Sequence, residues 1–108
     1  MTTNKKEVFS QEDQELASLA KALAHPARIA ILKELAQRQS CICGEIVEVL
    51  PLAQSTVSQH LKELKEAGLI KGTVDGAKSC YCIDQKAFKR FENMLKSFFV
   101  LTADQNCC

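Results

Sequence analysis

Between residues 54 and 83 the chain carries its strongest constraint on folding. Val57, Leu61 and Leu64, with Ala67 continuing the row, recur at helical spacing and predict a helix over roughly Gln54 to Ala67. Gly68 then suits the left-handed backbone just past a helix end. Leu69 to Val74 and Lys78 to Ile83 read as strands, and the Asp75-Gly76 between them is a type I′ hairpin signal. A helix that must stop at Gly68 and pass at once into a hairpin leaves few arrangements open.

The upstream residues narrow them further. Ser40 can cap a short helix from about Cys41 to Leu50, with Ile42, Ile46, Val47 and Leu50 inward, and Pro51 helps to stop it. Two helices joined by the turn Pro51-Leu52-Ala53, followed by a hairpin, describe a helix-turn-helix with a wing. Before them, Ser10-Gln11-Glu12-Asp13 caps a first helix carrying Leu16, Leu19, Ala20 and Leu23. His25-Pro26 interrupts the pattern, since Pro26 disfavours helical geometry in its predecessor and suits a first helical position. A second helix follows with Ile29, Leu32, Leu35 and Ala36, fading at Gln37-Arg38-Gln39-Ser40. Asp84 caps a last helix bearing Phe88, Phe91, Leu95, Phe98 and Phe99. The expected fold is mainly α with a β-hairpin wing, a winged helix-turn-helix of five helices and two strands. Residues 1–108 form one domain, with 1–10 as an N-terminal arm and 102–108 as a polar tail.

Composition agrees with that and excludes other classes. At 108 residues the chain holds one core, and 46% apolar with 25% charged residues is globular rather than disordered. Apolar runs are too short for a bilayer span. The basic start Met1 to Lys6 leads into polar, acidic residues rather than a signal-peptide core, so a cytoplasmic location is expected. Fourteen Lys+Arg against thirteen Asp+Glu leave a charge of +1, so any nucleic-acid binding must use a local basic face. No nucleophile with a positioned acid–base partner and no phosphate-cradling glycine loop appears, which argues against an enzyme.

Such a face is legible on the helix after the turn. Outside its apolar row it carries Gln54, Ser55, Thr56, Ser58, Gln59, His60 and Lys62, short or amide-bearing groups suited to base edges in a major groove. Lys65 and Arg38 are placed to reach phosphates, and Lys71 and Lys78 put positive charge on the wing. Any one of these residues is ordinarily just a solvated helix face. Turn, polar helix start and basic wing in that order favour duplex DNA as the partner.

These stretches resemble the ArsR/SmtB family of bacterial winged-helix metalloregulators, from about Leu16 to Leu95. The likeness rests on Lys21-Ala22-Leu23-Ala24-His25-Pro26-Ala27-Arg28 with Ile31-Leu32. It rests more specifically on Gln54-Ser55-Thr56-Val57-Ser58-Gln59-His60-Leu61, running into Leu64 and Ala67-Gly68-Leu69-Ile70. The resemblance implies a homodimer, joined through the first and last helices, that represses transcription from a palindromic operator until an effector loosens it. The last helix adds Met94 and the run Phe98-Phe99-Val100-Leu101, more apolar surface than one small domain needs.

Six cysteines point to the effector. Free thiols are the cytosolic norm, and clustered thiols then mean metal or redox chemistry. The spacings are Cys41-Ile42-Cys43, Cys80-Tyr81-Cys82 and Cys107-Cys108, none of them C-x-x-C. The segment Asp84 to Leu101 has no histidine, which disfavours a zinc site in the last helix. The two histidines read as a structural cap, His25, and a polar surface or phosphate contact, His60. Cys41-Ile42-Cys43 stands where arsenic-responsive relatives carry Cys-x-Cys at the start of the third helix. Trivalent arsenic and antimony are soft and select thiolates, and a helix N-terminus makes thiols more reactive. The family's third cysteine is replaced by Ile46, which leaves the third sulfur to Cys107 or Cys108, folding back or reaching across the dimer, or to a small cellular thiol. That tail pair is equally readable as an arsenic site by itself, a redox switch or a frayed end. Cys80 and Cys82 share the less buried face of their strand, opposite Tyr81 and Ile83, and rank behind Cys41 and Cys43. No permanently bound cofactor is expected. The rival reading within the fold is a redox or persulfide sensor, or a cadmium or lead sensor; an adaptor winged helix would leave the basic wing without purpose.

Overall fold

The computed structural model describes residues 8–38, 42–43, 50–73 and 80–103, with positions 42, 43 and 73 described by their backbone. Among them are α1 (Gln11–Leu23), α2 (Pro26–Arg38), β1 (Ile42–Cys43), α3 (Gln54–Glu66), β2 (Ile70–Thr73), β3 (Cys80–Ile83) and α4 (Gln85–Thr102).

Local chemistry sets most of the boundaries. The Ser10 side chain accepts from the Asp13 amide at 3.0 Å, with Glu12 and Asp13 in the first turn of α1. Pro26 opens α2, where a missing N–H costs nothing. Asp84 caps α4 by accepting from the Ala87 amide at 3.1 Å. At the end of α3, Gly68 takes φ +86°. Its N–H reaches the Lys65 carbonyl at 3.0 Å while the Leu69 N–H reaches Leu64 at 3.1 Å. This pair of bonds closes the helix and turns the chain directly into β2.

The core joins one stripe from each helix to the inner face of the sheet. Ile31, Leu64, Leu69, Ile70 and Val57 are fully enclosed, with Leu19, Leu32, Leu35, Leu61, Tyr81 and Phe91 around them. Each such side chain stabilises the fold by roughly 1.5–3 kcal/mol through burial. α2 packs on α3 and β3, while α1 packs on α2, α3 and α4. Leu19 and Ala22 are the buried positions of α1, and Ala20, expected inward, is exposed. On α2 the inward row is Ala27, Ile31, Leu32 and Leu35, whereas Ile29, expected to be inward, is 37% exposed. Residues 27, 31 and 35 are four apart and stack on one side, which leaves position 29 on the far side of the helix.

The sheet has three strands in the order β1-β3-β2, all antiparallel, rather than the two expected. The helix expected from Cys41 is corrected at its start: Ile42 and Cys43 pair with Tyr81 and Cys80 as a strand. Here a β-branched residue flanked by small ones completes the edge of β3, and long-range pairing overrides the local helical reading. Ser40, Cys41 and residues 44–49 of that expected helix lie outside the described residues, as do Asp75, Gly76 and Lys78 of the wing. Leu50 packs half-buried against the core. Among the described residues no helix is long and apolar enough to cross a membrane.

Candidate nucleic-acid interface and sensor cysteines

α3 presents its two faces as the apolar row requires. Val57, Leu61 and Leu64 are buried, and Gln54, Ser55, Thr56, Ser58, Gln59, Lys62 and Lys65 are exposed. The helix begins at Ala53, which offers no side-chain cap. The polar groups of the first turns therefore stand at an open helix start, where amide hydrogens and the helix dipole favour an anion. Gln59 donates to Glu63 Oε1 at 3.2 Å along the same exposed face. Lys71 is exposed on β2.

His60 does not belong to that face. It is 8% exposed, packed with its ring 4.4 Å from that of His25. Its Nδ1 accepts from Arg28 Nε at 3.1 Å. The expected surface or phosphate contact is thus corrected, because position 60 follows Val57 by three and precedes Leu64 by four, on the buried side of the helix. Burial, with the adjacent His25 and the Arg28 charge, holds its pKa below the ordinary 6.5, Glu63 opposing weakly. The imidazole is kept neutral and able to accept. His25 caps α2 as expected, its Nδ1 accepting from the Ala27 amide at 3.0 Å.

Arg28, unassigned by sequence reasoning, organises this region. Besides His60 it donates through Nη1 to the Ala22 carbonyl at 3.3 Å and through Nη2 to Glu63. Hydrogen bonding from Gln59 and the Arg28 charge hold the Glu63 carboxyl below its usual range. One guanidinium thereby ties the end of α1 and the start of α2 to the middle of α3. Nothing local signals the pairing of Arg28 with a residue 35 positions later.

The thiols fall less neatly. Cys41, Cys107 and Cys108 lie outside the described residues, and Cys43 is placed by its backbone in β1. A helix-start environment for Cys43 is therefore withdrawn. Cys80 and Cys82 are half-buried on either side of buried Tyr81, on the outer face of the sheet as expected. Both are engaged in disulfides rather than free. Among the described residues, no three metal-ligating side chains converge.

With this geometry in hand, residues 23–73 match a helix-turn-helix domain family. The chain is 32% identical to the arsenical resistance operon repressor of Bacillus subtilis over 110 aligned positions, covering the whole of both chains. It belongs to the ArsR/SmtB family. Winged-helix transcriptional regulators of this family are DNA-binding proteins rather than enzymes. This ArsR/SmtB member is also 46% identical over 63 residues to the HTH-type transcriptional repressor SmtB of Mycobacterium tuberculosis. That match takes in 58% of this chain and spans about half the length of the relative, 46%. In fold it is similar to a crystal structure of an ArsR family transcriptional regulator, with a TM-score of 0.74 and 22% identity. The superposition covers 91% of this chain and 100% of the other.

The lowered His60 pKa fixes a pH dependence. The folded state disfavours the imidazolium, so the stability that His60 contributes is complete above its unfolded pKa, about 6.5, and is lost as pH falls through the lower folded value. Thermal melts across pH 7.5 to about 5 are expected to show wild type losing stability faster than His60→Gln, which retains an acceptor but does not titrate. Parallel profiles for the two proteins would remove His60 from the pH response.

Proposed function

We propose that this ArsR/SmtB-family protein is a cytoplasmic transcriptional repressor. It binds a palindromic operator as a homodimer and lets go when trivalent arsenic or antimony is captured by cysteine thiolates. The observation that carries the DNA reading is the exposed polar start of α3, whose opposite side is locked into the core. Gln54, Ser55, Thr56, Ser58 and Gln59 read base edges, while Lys62, Lys65 and Lys71, with Lys78, neutralise phosphates.

The dimer reading is supported by apolar surface beyond what the core uses. Phe98, Phe99, Val100 and Leu101 at the end of α4 are 47–75% exposed, and Val8 and Phe9 before α1 are 63% and 56% exposed. α1 and α4 lie side by side, joined by Arg90 and Glu15 at 2.6 Å, so a second copy covering both closes a two-fold interface.

Soft-ion sensing is supported by the donor set, which is rich in sulfur and has no histidine in α4. Likeness to an arsenical resistance operon repressor along the full chain supports it too. Cys41 and Cys43 supply two sulfurs and Cys107 or Cys108 a third, giving the three-thiolate set that trivalent arsenic prefers. Effector and operator are linked equilibria: each weakens the other by the same factor, typically about 5–150-fold. A second reading, release on thiol oxidation, is favoured by the disulfides at Cys80 and Cys82.

Two measurements check these readings. Arsenite titrated anaerobically into reduced protein on labelled operator is expected to release wild type near stoichiometry and to leave Cys41→Ser bound, read by fluorescence anisotropy. Release by a mild oxidant with no response to arsenite establishes the redox reading instead. Sedimentation of the double variant Phe99→Glu, Leu101→Glu is expected to give a folded monomer where wild type is a dimer; an unchanged dimer places the interface elsewhere.

A further inference from the structure

We propose that Glu63 sets what Gln59 reads: it holds the Gln59 amide in the orientation that suits adenine in the major groove. This rests on the DNA reading of α3 above and names the base for one of its residues.

The contact lies on the outer side of the helix. Gln59 and Glu63 are four residues apart, so their side chains are neighbours along α3. Gln59 is exposed, as are Ser55 and Lys62, and its Nε2 donates to Glu63 Oε1 at 3.2 Å. The other carboxylate oxygen, Oε2, accepts from Arg28 Nη2. Arg28 is itself fixed by the His60 ring and the Ala22 carbonyl. A side chain facing solvent is thus tied through one carboxylate to a largely enclosed cation.

The effect on the amide follows from its donors and acceptors. Hydrogen bonding from Gln59 and the Arg28 charge hold the Glu63 carboxyl below its usual range, and an ionised carboxylate only accepts. Gln59 must therefore turn its nitrogen toward Glu63, since the reverse orientation sets the amide oxygen against a negative charge. One N–H is used within the protein. One N–H and the oxygen remain, a single donor and a single acceptor. Adenine offers their complement, an N7 acceptor next to an N6 amino donor. Guanine offers acceptors at both N7 and O6, thymine an acceptor and a methyl group, cytosine an amino donor alone. A free amide can swing its whole NH2 group toward guanine, whereas one held by Glu63 cannot.

Glu63 touches no base in this scheme. It is a positioning residue, anchored by Arg28, whose charge also offsets the carboxylate that would otherwise repel nearby phosphates.

The test selects duplexes from a random-sequence pool with the full chain, then measures single-base variants of the selected site by fluorescence anisotropy. In wild type, one position of each half-site is expected to prefer adenine over guanine by about 5–150-fold, the discrimination that a two-bond base contact gives. Gln59→Ala identifies that position by losing the preference there alone. Glu63→Gln has the same shape but donates as well as accepts. It is expected to shrink the preference at that position to within about threefold and to keep the preferences elsewhere. A loss of affinity equal for every duplex, with the adenine preference intact, makes Glu63 a structural residue and overturns the proposal. Wild type that prefers guanine, cytosine or thymine where Gln59 reads overturns it too, and that result needs no folded Glu63 variant. Wild type that selects no duplex overturns the DNA reading of α3 as well.

Discussion

Arg28 is the contact on which the reading head depends. Its guanidinium is largely enclosed, with a side chain 15% exposed, and a charge so placed destabilises the fold unless it is paired and hydrogen-bonded. Its three nitrogens go to three partners: the His60 ring, the Ala22 carbonyl and the Glu63 carboxylate. Those partners stand on α1 and α3, so one side chain of α2 fixes the mutual placement of three helices. The apolar row of α3 sets which side faces inward. Apolar contacts tolerate small sliding, whereas hydrogen bonds of fixed geometry do not. The neutral state of His60 belongs to this arrangement, because an imidazolium could not accept from Arg28.

The wing is bound to the same frame from the other side. Gly68 ends α3 and sends the chain into β2, Leu69 and Ile70 seal the inner face, and the Asp84 amide returns to the Leu69 carbonyl at 3.0 Å. β3 is the central strand, paired to β1 on one edge and β2 on the other. It runs through Asp84 into α4, whose aromatic end is exposed.

Much of this was legible in the sequence because it is local. The row Val57, Leu61, Leu64, the glycine after it, the caps Ser10 and Asp84 and the proline at α2 are patterns within a few residues. They also settled which side of α3 faces outward. What stayed hidden depends on distant partners. Ile42 and Cys43 read as the start of a helix until Tyr81 and Cys80 are there to pair with them. Arg28 reads as an ordinary surface cation, since its partners on α3 lie more than thirty residues away. His60 is the instructive case: its spacing from Val57 and Leu64 placed it on the buried row, and its polarity alone suggested otherwise.

The measurement that bears most directly on this account is the operator affinity of Arg28→Ala against wild type, taken by fluorescence anisotropy at a temperature where both are folded. Every residue assigned to the DNA is intact in that variant, and only the tie between α3 and the rest of the domain is cut. Affinity weaker by about tenfold or more is predicted. Binding equal to wild type would mean that α3 is held by its apolar row alone, and that Arg28 is not what poses it for DNA.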